Sequence, residues 1–172
     1  LKSSHCDREY SVTMTGLQPA LGAGFGCGTI VGMDSALRPR RSVLFMPGAN
    51  ARALEKARSI DCDGIIIDLE DAVAPDLKVE ARERTAGVVR GHPYGYREVA
   101  IRVNGMDTQW YHDDLAAAVA AGPDAIAVPK VGSAEHVHAI VADMEAAGAD
   151  ESVKLWAMIE TPRAVLDCLD IA

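Results

Sequence analysis

"GIIIDLEDAVAP", residues 64–75, begins as a buried strand and ends as a cluster of acids. Its isoleucines and first leucine form the continuous apolar run of a strand covered on both faces, the habit of parallel sheets. Asp68, Glu70 and Asp71 then crowd the C-terminal end of that run. Carboxylates this close repel one another and are costly to desolvate unless cations stand nearby. The stretch therefore predicts a parallel sheet and, at one end of it, a site where positive charge is gathered.

The same unit recurs along the chain. Apolar runs at "SVLFMP" (42–47), "VAIRVN" (99–104), "AIAVPKV" (125–131) and "KLWAMIET" (154–161) read as further strands. Helical patterns alternate with them. "NARALEKARSI" opens on Asn50 as N-cap, "DLKVEARERTAGVVR" follows the acids, "DTQWYHDDLAAAVAAG" ends on Gly122, and "SAEHVHAIVADMEAAG" runs from Ser133 to Gly148. Strands alternating with helices imply a parallel α/β fold, and both a doubly wound sheet and a (β/α)8 TIM barrel fit that rhythm. "FMPGANAR" after the first strand carries a single glycine, Gly48, so no dinucleotide fingerprint opens the fold.

Polar residues recur at the C-terminal end of successive strands: Asp68, Glu70 and Asp71, then Arg102 and Asn104, then Lys130, then Glu160. That end is where barrel enzymes build their active sites. Alternation predicts that Asp68 shares a face with Glu70, and Arg102 with Asn104. His112, Asp113 and Asp114 read as a solvated first helical turn, favoured by the helix dipole. His136 and His138, two apart on a helix, diverge and predict no metal pair. Trp156 and Met158 alternate on the fifth strand as filling for a barrel interior. No Ser/His/Asp or Cys/His arrangement is supported, and the residues present identify no general base.

Composition narrows the function. The 172 residues are 49% hydrophobic and 24% charged, enough for one sizeable core, and the net charge of −8 argues against nucleic acid or an anionic membrane as partner. Four scattered cysteines, Cys6, Cys27, Cys62 and Cys168, form no CxxC pair and suit a reducing, cytoplasmic compartment. Residues 1–40 differ from the rest. Tyr10 to Met33 carries no charge but is rich in glycine, a poor helix and an unconvincing membrane span, while Asp7 and Glu9 spoil a signal peptide. A disordered leader, or sequence upstream of a true start at Met33, is expected there, with the organised domain over 41–172.

With these stretches in view, the chain resembles the citrate lyase beta-subunit-like family, which includes malyl-CoA lyases and related oxo-acid aldolases. "RSVLFMPGANARALEKA", "DGIIIDLEDAVAPDLK", "IRVNGMDTQW", "AIAVPKVGSAEHV" and "AMIETPRAVLD" carry the resemblance, which runs from residue 41 to 172. It implies a TIM barrel of which five βα units are present. It also implies Mg²⁺-dependent cleavage of a carbon–carbon bond in a hydroxyacyl-CoA, such as malyl-CoA or a citryl thioester, to an acetyl thioester and an oxo-acid. Glu160 would then be a metal ligand, with Glu70 and Asp71 catalytic groups beside the metal. Arg102 would hold the substrate, and Arg52 would contact substrate or the CoA phosphates. The partners implied are the acyl-CoA and the oxo-acid, with a homo-oligomer, trimer or hexamer, at full length. Other readings are an aldolase acting on free hydroxy-oxo-acids, or an inactive short form acting by association. A full barrel has eight strands and about 250 residues. A chain of five units is therefore expected to be a piece of a longer lyase, with open sheet edges prone to aggregation.

Overall fold

A computed structural model of the protein describes residues 38–172. The leader expected over residues 1–40 lies outside the described residues except for Arg38, Pro39 and Arg40, and so do Cys6 and Cys27.

Five strands form one sheet in the order β1-β2-β3-β4-β5: β1 Val43–Pro47, β2 Gly64–Asp68, β3 Glu98–Arg102, β4 Ala125–Val128 and β5 Lys154–Ala157. Every neighbouring pair is parallel. The intervening helices are α1 Ala51–Ala57, α2 Lys78–Val89, α3 Tyr111–Ala121 and α4 Ala134–Ala146, followed by the short α5 Pro162–Leu166 and α6 Cys168–Ile171. A doubly wound sheet reverses its strand order and carries helices on both faces. Here the order is sequential and the helices share one face, as in a (β/α) barrel.

Period-two alternation builds the two faces. Ile65, Ile67 and Leu69 of the second unit, Val99, Ile101 and Val103 of the third, and Ile126 and Val128 of the fourth pack against helix residues such as Leu54, Ala81, Leu115 and Ile140. The other set, Ile66, Ala100, Ala125, Ala127 and Trp156, forms a smaller cluster without any helical residue, joined by Val43 and Met158. Trp156 and Met158 thus lie on the concave face, as the alternation predicts, and three alanines leave room for the indole. Arg40 stacks on that indole, 5.7 Å from its centroid, and ion-pairs Glu98 at the start of β3. Arg38 reaches Asp124 at 2.8 Å, so residues 38–40 span the N-terminal ends of the strands.

The expected caps form. Asn50 accepts from Ala53 N, Ser133 from His136 N, and Gly122 closes α3 at φ 65. Gly48 is required by close approach. A Cβ there would lie 2.6 Å from Thr85 Oγ1 and 2.9 Å from Leu69 Cδ2, while its N–H donates to the Asp68 carbonyl at 2.9 Å.

Candidate active site

Asp68 ends β2 on the concave face, and the parallel register sets it directly beside Arg102 at the end of β3. Arg102 grips it with two hydrogen bonds, Nε to Oδ1 at 2.7 Å and Nη2 to Oδ2 at 2.6 Å. Such fork-to-fork pairing is the strongest and most directional of the protein ion pairs. The same carboxylate also accepts from the N–H groups of Glu70 (2.7 Å) and Ala72 (3.0 Å), which folds the chain into a tight turn immediately after the strand. Burial pushes the Asp68 carboxyl upward, but its bonds to Arg102, Glu70 N and Ala72 N outweigh that and hold it below the usual aspartate range. The converse holds for Arg102: burial lowers it, Asp68 and the neighbouring acids raise it further, and it stays charged.

That turn aims Glu70 back over the mouth of the sheet. Glu70 is only 7% exposed, and its Oε2 lies 3.1 Å from Arg102 Nη1 without receiving a well-directed hydrogen bond. Asp71, on the exposed side of the turn, stands 3.7 Å from the same nitrogen. The Phe45 ring of β1 covers the guanidinium face at 5.1 Å.

Two strands further on, Lys130 supplies the second cation. Alternation would set it with Ile126 and Val128 on the helix side. Its backbone is left-handed at φ 55, which re-aims the side chain, and Nζ reaches Glu70 Oε1 at 2.9 Å. Its backbone N–H meanwhile donates to Glu160 Oε1 at 2.9 Å. Glu160 is held just before α5 by the Thr161 cap, whose side chain accepts from Ala164 N, and by Pro162 in the first turn. The structure therefore joins Asp68, Glu70, Asp71, Arg102, Lys130 and Glu160 at the C-terminal ends of the strands. Arg52 is exposed in the first turn of α1.

Asn104 corrects one expectation. It does not share a face with Arg102, because β3 ends at Arg102 and the chain turns away. Its amide instead donates to the Leu69 carbonyl (2.9 Å) and Asp114 Oδ2 (2.5 Å), and its oxygen accepts from Lys78 Nζ (2.7 Å). Asp114 is a second correction. Far from a solvated turn, it is fully buried, because α2 and α3 pack side by side and Arg82 Nε donates to it at 2.7 Å.

Lys78 centres this network and was not a candidate from the sequence. Its buried ammonium donates to the carbonyls of Leu69 (2.7 Å) and Glu70 (2.6 Å) as well as to Asn104, with the Trp110 ring 5.3 Å away. The available signal was slight: Lys78 and Arg82 share one helix face by spacing, and two acids stand at the start of the next helix. Burial depresses the Lys78 amine, and the surrounding acids, Asp114 first, offset only part of that.

Among the described residues no three His, Cys, Asp or Glu side chains converge as a ready-made metal cage. The acids at the mouth are all hard oxygen donors, and Glu70 Oε2 is buried without a hydrogen bond. This set fits Mg²⁺, which commonly takes one or two carboxylates and completes its shell with water and substrate oxygens.

Comparison with known proteins agrees with the geometry. Residues 41–172 match the HpcH/HpaI aldolase/citrate lyase family. Over 140 residues the chain is 48% identical to a (3S)-malyl-CoA thioesterase of Cereibacter sphaeroides, covering 81% of this chain and 47% of that protein. It is 35% identical over 142 residues to an L-malyl-CoA/beta-methylmalyl-CoA lyase of the same species, covering 78% of this chain and 45% of that one. The citrate lyase beta subunit of M. tuberculosis, solved with oxaloacetate and magnesium, superposes with a TM-score of 0.58 at 28% identity, over 77% of this chain and 54% of that one. The chain thus spans about half the length of the curated relatives it matches. A sequential parallel sheet, acids and arginine gathered at its C-terminal mouth, and a match over nearly all described residues together place this chain in the HpcH/HpaI aldolase/citrate lyase family.

Proposed function

We propose that residues 41–172 supply the first five βα units of a Mg²⁺-dependent carbon–carbon lyase. It would cleave a hydroxyacyl-CoA such as malyl-CoA into an acetyl thioester and an oxo-acid. The observation that carries this reading is the clasp of Arg102 between Asp68 and Glu70, with Glu160 tied to the same mouth through Lys130. The magnesium and oxaloacetate in the M. tuberculosis relative and the CoA esters in the names of the Cereibacter proteins support the ligand classes.

Each residue has a task in this scheme. Glu160 would be the metal ligand, with Glu70 and Asp71 beside the ion through its waters. Bound Mg²⁺ would supply a Lewis acid for an oxo-acid carbonyl, a role worth several kcal/mol of charge stabilisation. Asp68 fixes the arginine and leaves Nη1 facing the mouth, where it binds the substrate oxygen that gains charge as the bond breaks. Phe45 shields the guanidinium face from water, which strengthens that interaction. Arg52, exposed on α1, would meet the CoA phosphates.

Replacing Glu160 by alanine in the full-length protein is expected to abolish Mg²⁺ dependence of malyl-CoA cleavage. Unchanged dependence would refute the ligand assignment. A second reading, hydrolysis of the malyl thioester, is favoured by the 48% identity to a protein of that activity. The products separate the two: glyoxylate with acetyl-CoA for the lyase, malate with free CoA for the hydrolase.

A further inference from the structure

Charge at the mouth does not balance. Asp68, Glu70, Asp71 and Glu160 bring four carboxylates, and Arg102 and Lys130 bring two cations. Asp68 takes two nitrogens of the Arg102 guanidinium, and the third, Nη1, lies 3.1 Å from Glu70 Oε2 and 3.7 Å from Asp71. Lys130 meets both Glu70 and Glu160, which lie beyond the ends of β2 and β5. It serves each by a different group, Nζ for Glu70 and the backbone N–H for Glu160, both at 2.9 Å.

Two features show that this bridge is built. A non-glycine residue in the left-handed region costs of order 1–2 kcal/mol, and such strain persists only where the surroundings enforce it. Lys130 adopts it at φ 55, and from that backbone its ammonium reaches Glu70. Glu70, in turn, is nine-tenths buried, and its second oxygen, 3.1 Å from Arg102 Nη1, has no hydrogen bond. A buried carboxylate oxygen without a hydrogen bond is a place for a further ligand or a water.

We infer that Lys130 is a resident counter-cation of this mouth, whose ammonium sits on Glu70 Oε1 and competes with the divalent cation for that carboxylate. The inference rests on the proposed reading of the site as a Mg²⁺ centre. The Lys130 side chain is 58% exposed, so the ammonium can swing toward solvent when a cation takes its place, while the backbone bond to Glu160 needs no such movement.

Titration calorimetry of the full chain with Mg²⁺ alone tests this. Lys130→Met removes the competing charge but keeps the stem. It is expected to bind Mg²⁺ about tenfold more tightly, the order that Coulomb's law gives for adjacent single and double charges in a water-like dielectric. Lys130→Arg, which retains a cation, should stay within a factor of about two of the parent. A merely structural lysine would weaken binding when removed. Equal or weaker Mg²⁺ affinity in a folded Lys130→Met, judged by circular dichroism, overturns the inference and leaves the metal reading intact. Should Lys130→Met fail to fold, Lys130→Gln gives the same comparison on a polar stem. Mg²⁺ binding by neither parent nor variants would overturn both.

Discussion

The Arg102 guanidinium has five N–H donors, and Asp68 engages two of them. What remains is one edge, turned toward Glu70 and Asp71, and the face covered by Phe45. Fixing the arginine in this way removes the entropy of a long side chain before any ligand arrives. Because both partners are buried, loss of either leaves an uncompensated charge. Arg102→Met is therefore expected to destabilise the fold by about 3–5 kcal/mol, read from denaturant melts. Adding Asp68→Asn, which removes the orphaned charge but keeps an oxygen for the turn N–H groups, should restore part of the loss, and no restoration would mean that the pair is not the source of the effect. At this scale the sequence was legible where a residue ends a strand: Asp68, Glu70, Arg102 and Glu160 are recognisable from position alone. Lys130 was visible as a residue of the mouth, but its bridging role was not, because it depends on a left-handed φ that no alternation rule foresees. Asp114 and Lys78 were hidden for a different reason. A charge that is buried by a neighbouring helix looks in sequence like any solvated charge.

Between elements, the loop after β1 packs closely on the end of β2. Gly48 lets the loop after β1 touch Leu69 and Thr85 and donate to the Asp68 carbonyl, so this loop sets the height of the acid turn. Gly48→Ala forces a Cβ into contacts below 3 Å and is expected to cost about 1–3 kcal/mol by overpacking. Thermal melts would read this, and an unchanged midpoint would show that the loop yields freely. Behind the same turn, Lys78 holds the Leu69 and Glu70 carbonyls where β2 and β3 diverge. At the N-terminal end, Asp63 accepts from Arg41 and from the N–H of Ser42, tying the start of β1 to β2. Elements themselves were readable because apolar runs, Asn50, Ser133 and Gly122 all point the same way. Strand ends were less so: β2 and β3 run to Asp68 and Arg102, whereas β4 and β5 stop at Val128 and Ala157, short of Lys130 and Glu160.

For the molecule as a whole, sequential parallel strands with helices on one face put every strand's C-terminal end at the same mouth. That is why residues as far apart in sequence as Glu70 and Glu160 come to share Lys130. Among the described residues β1 and β5 are the edges of the sheet, and no helix is long and apolar enough to cross a membrane. Val165, Leu166 and Leu169 are exposed on α5 and α6. The choice between barrel and doubly wound sheet was open in the strand–helix rhythm, since both share it. Strand order decides it, and order is a property of pairing that local pattern does not carry. In the proposed reading, this half of the family fold already holds a site for a divalent cation and an oxo-acid. A ligand that binds the native state alone stabilises it by about 2.7 kcal/mol at a hundredfold excess over its Kd. The most direct measurement is thus a thermal melt of the chain by far-UV circular dichroism with Mg²⁺, with oxaloacetate, and with both. A cooperative transition is expected whose midpoint rises with Mg²⁺ and rises further when oxaloacetate is added, and a midpoint unmoved by the pair together would contradict the proposed site.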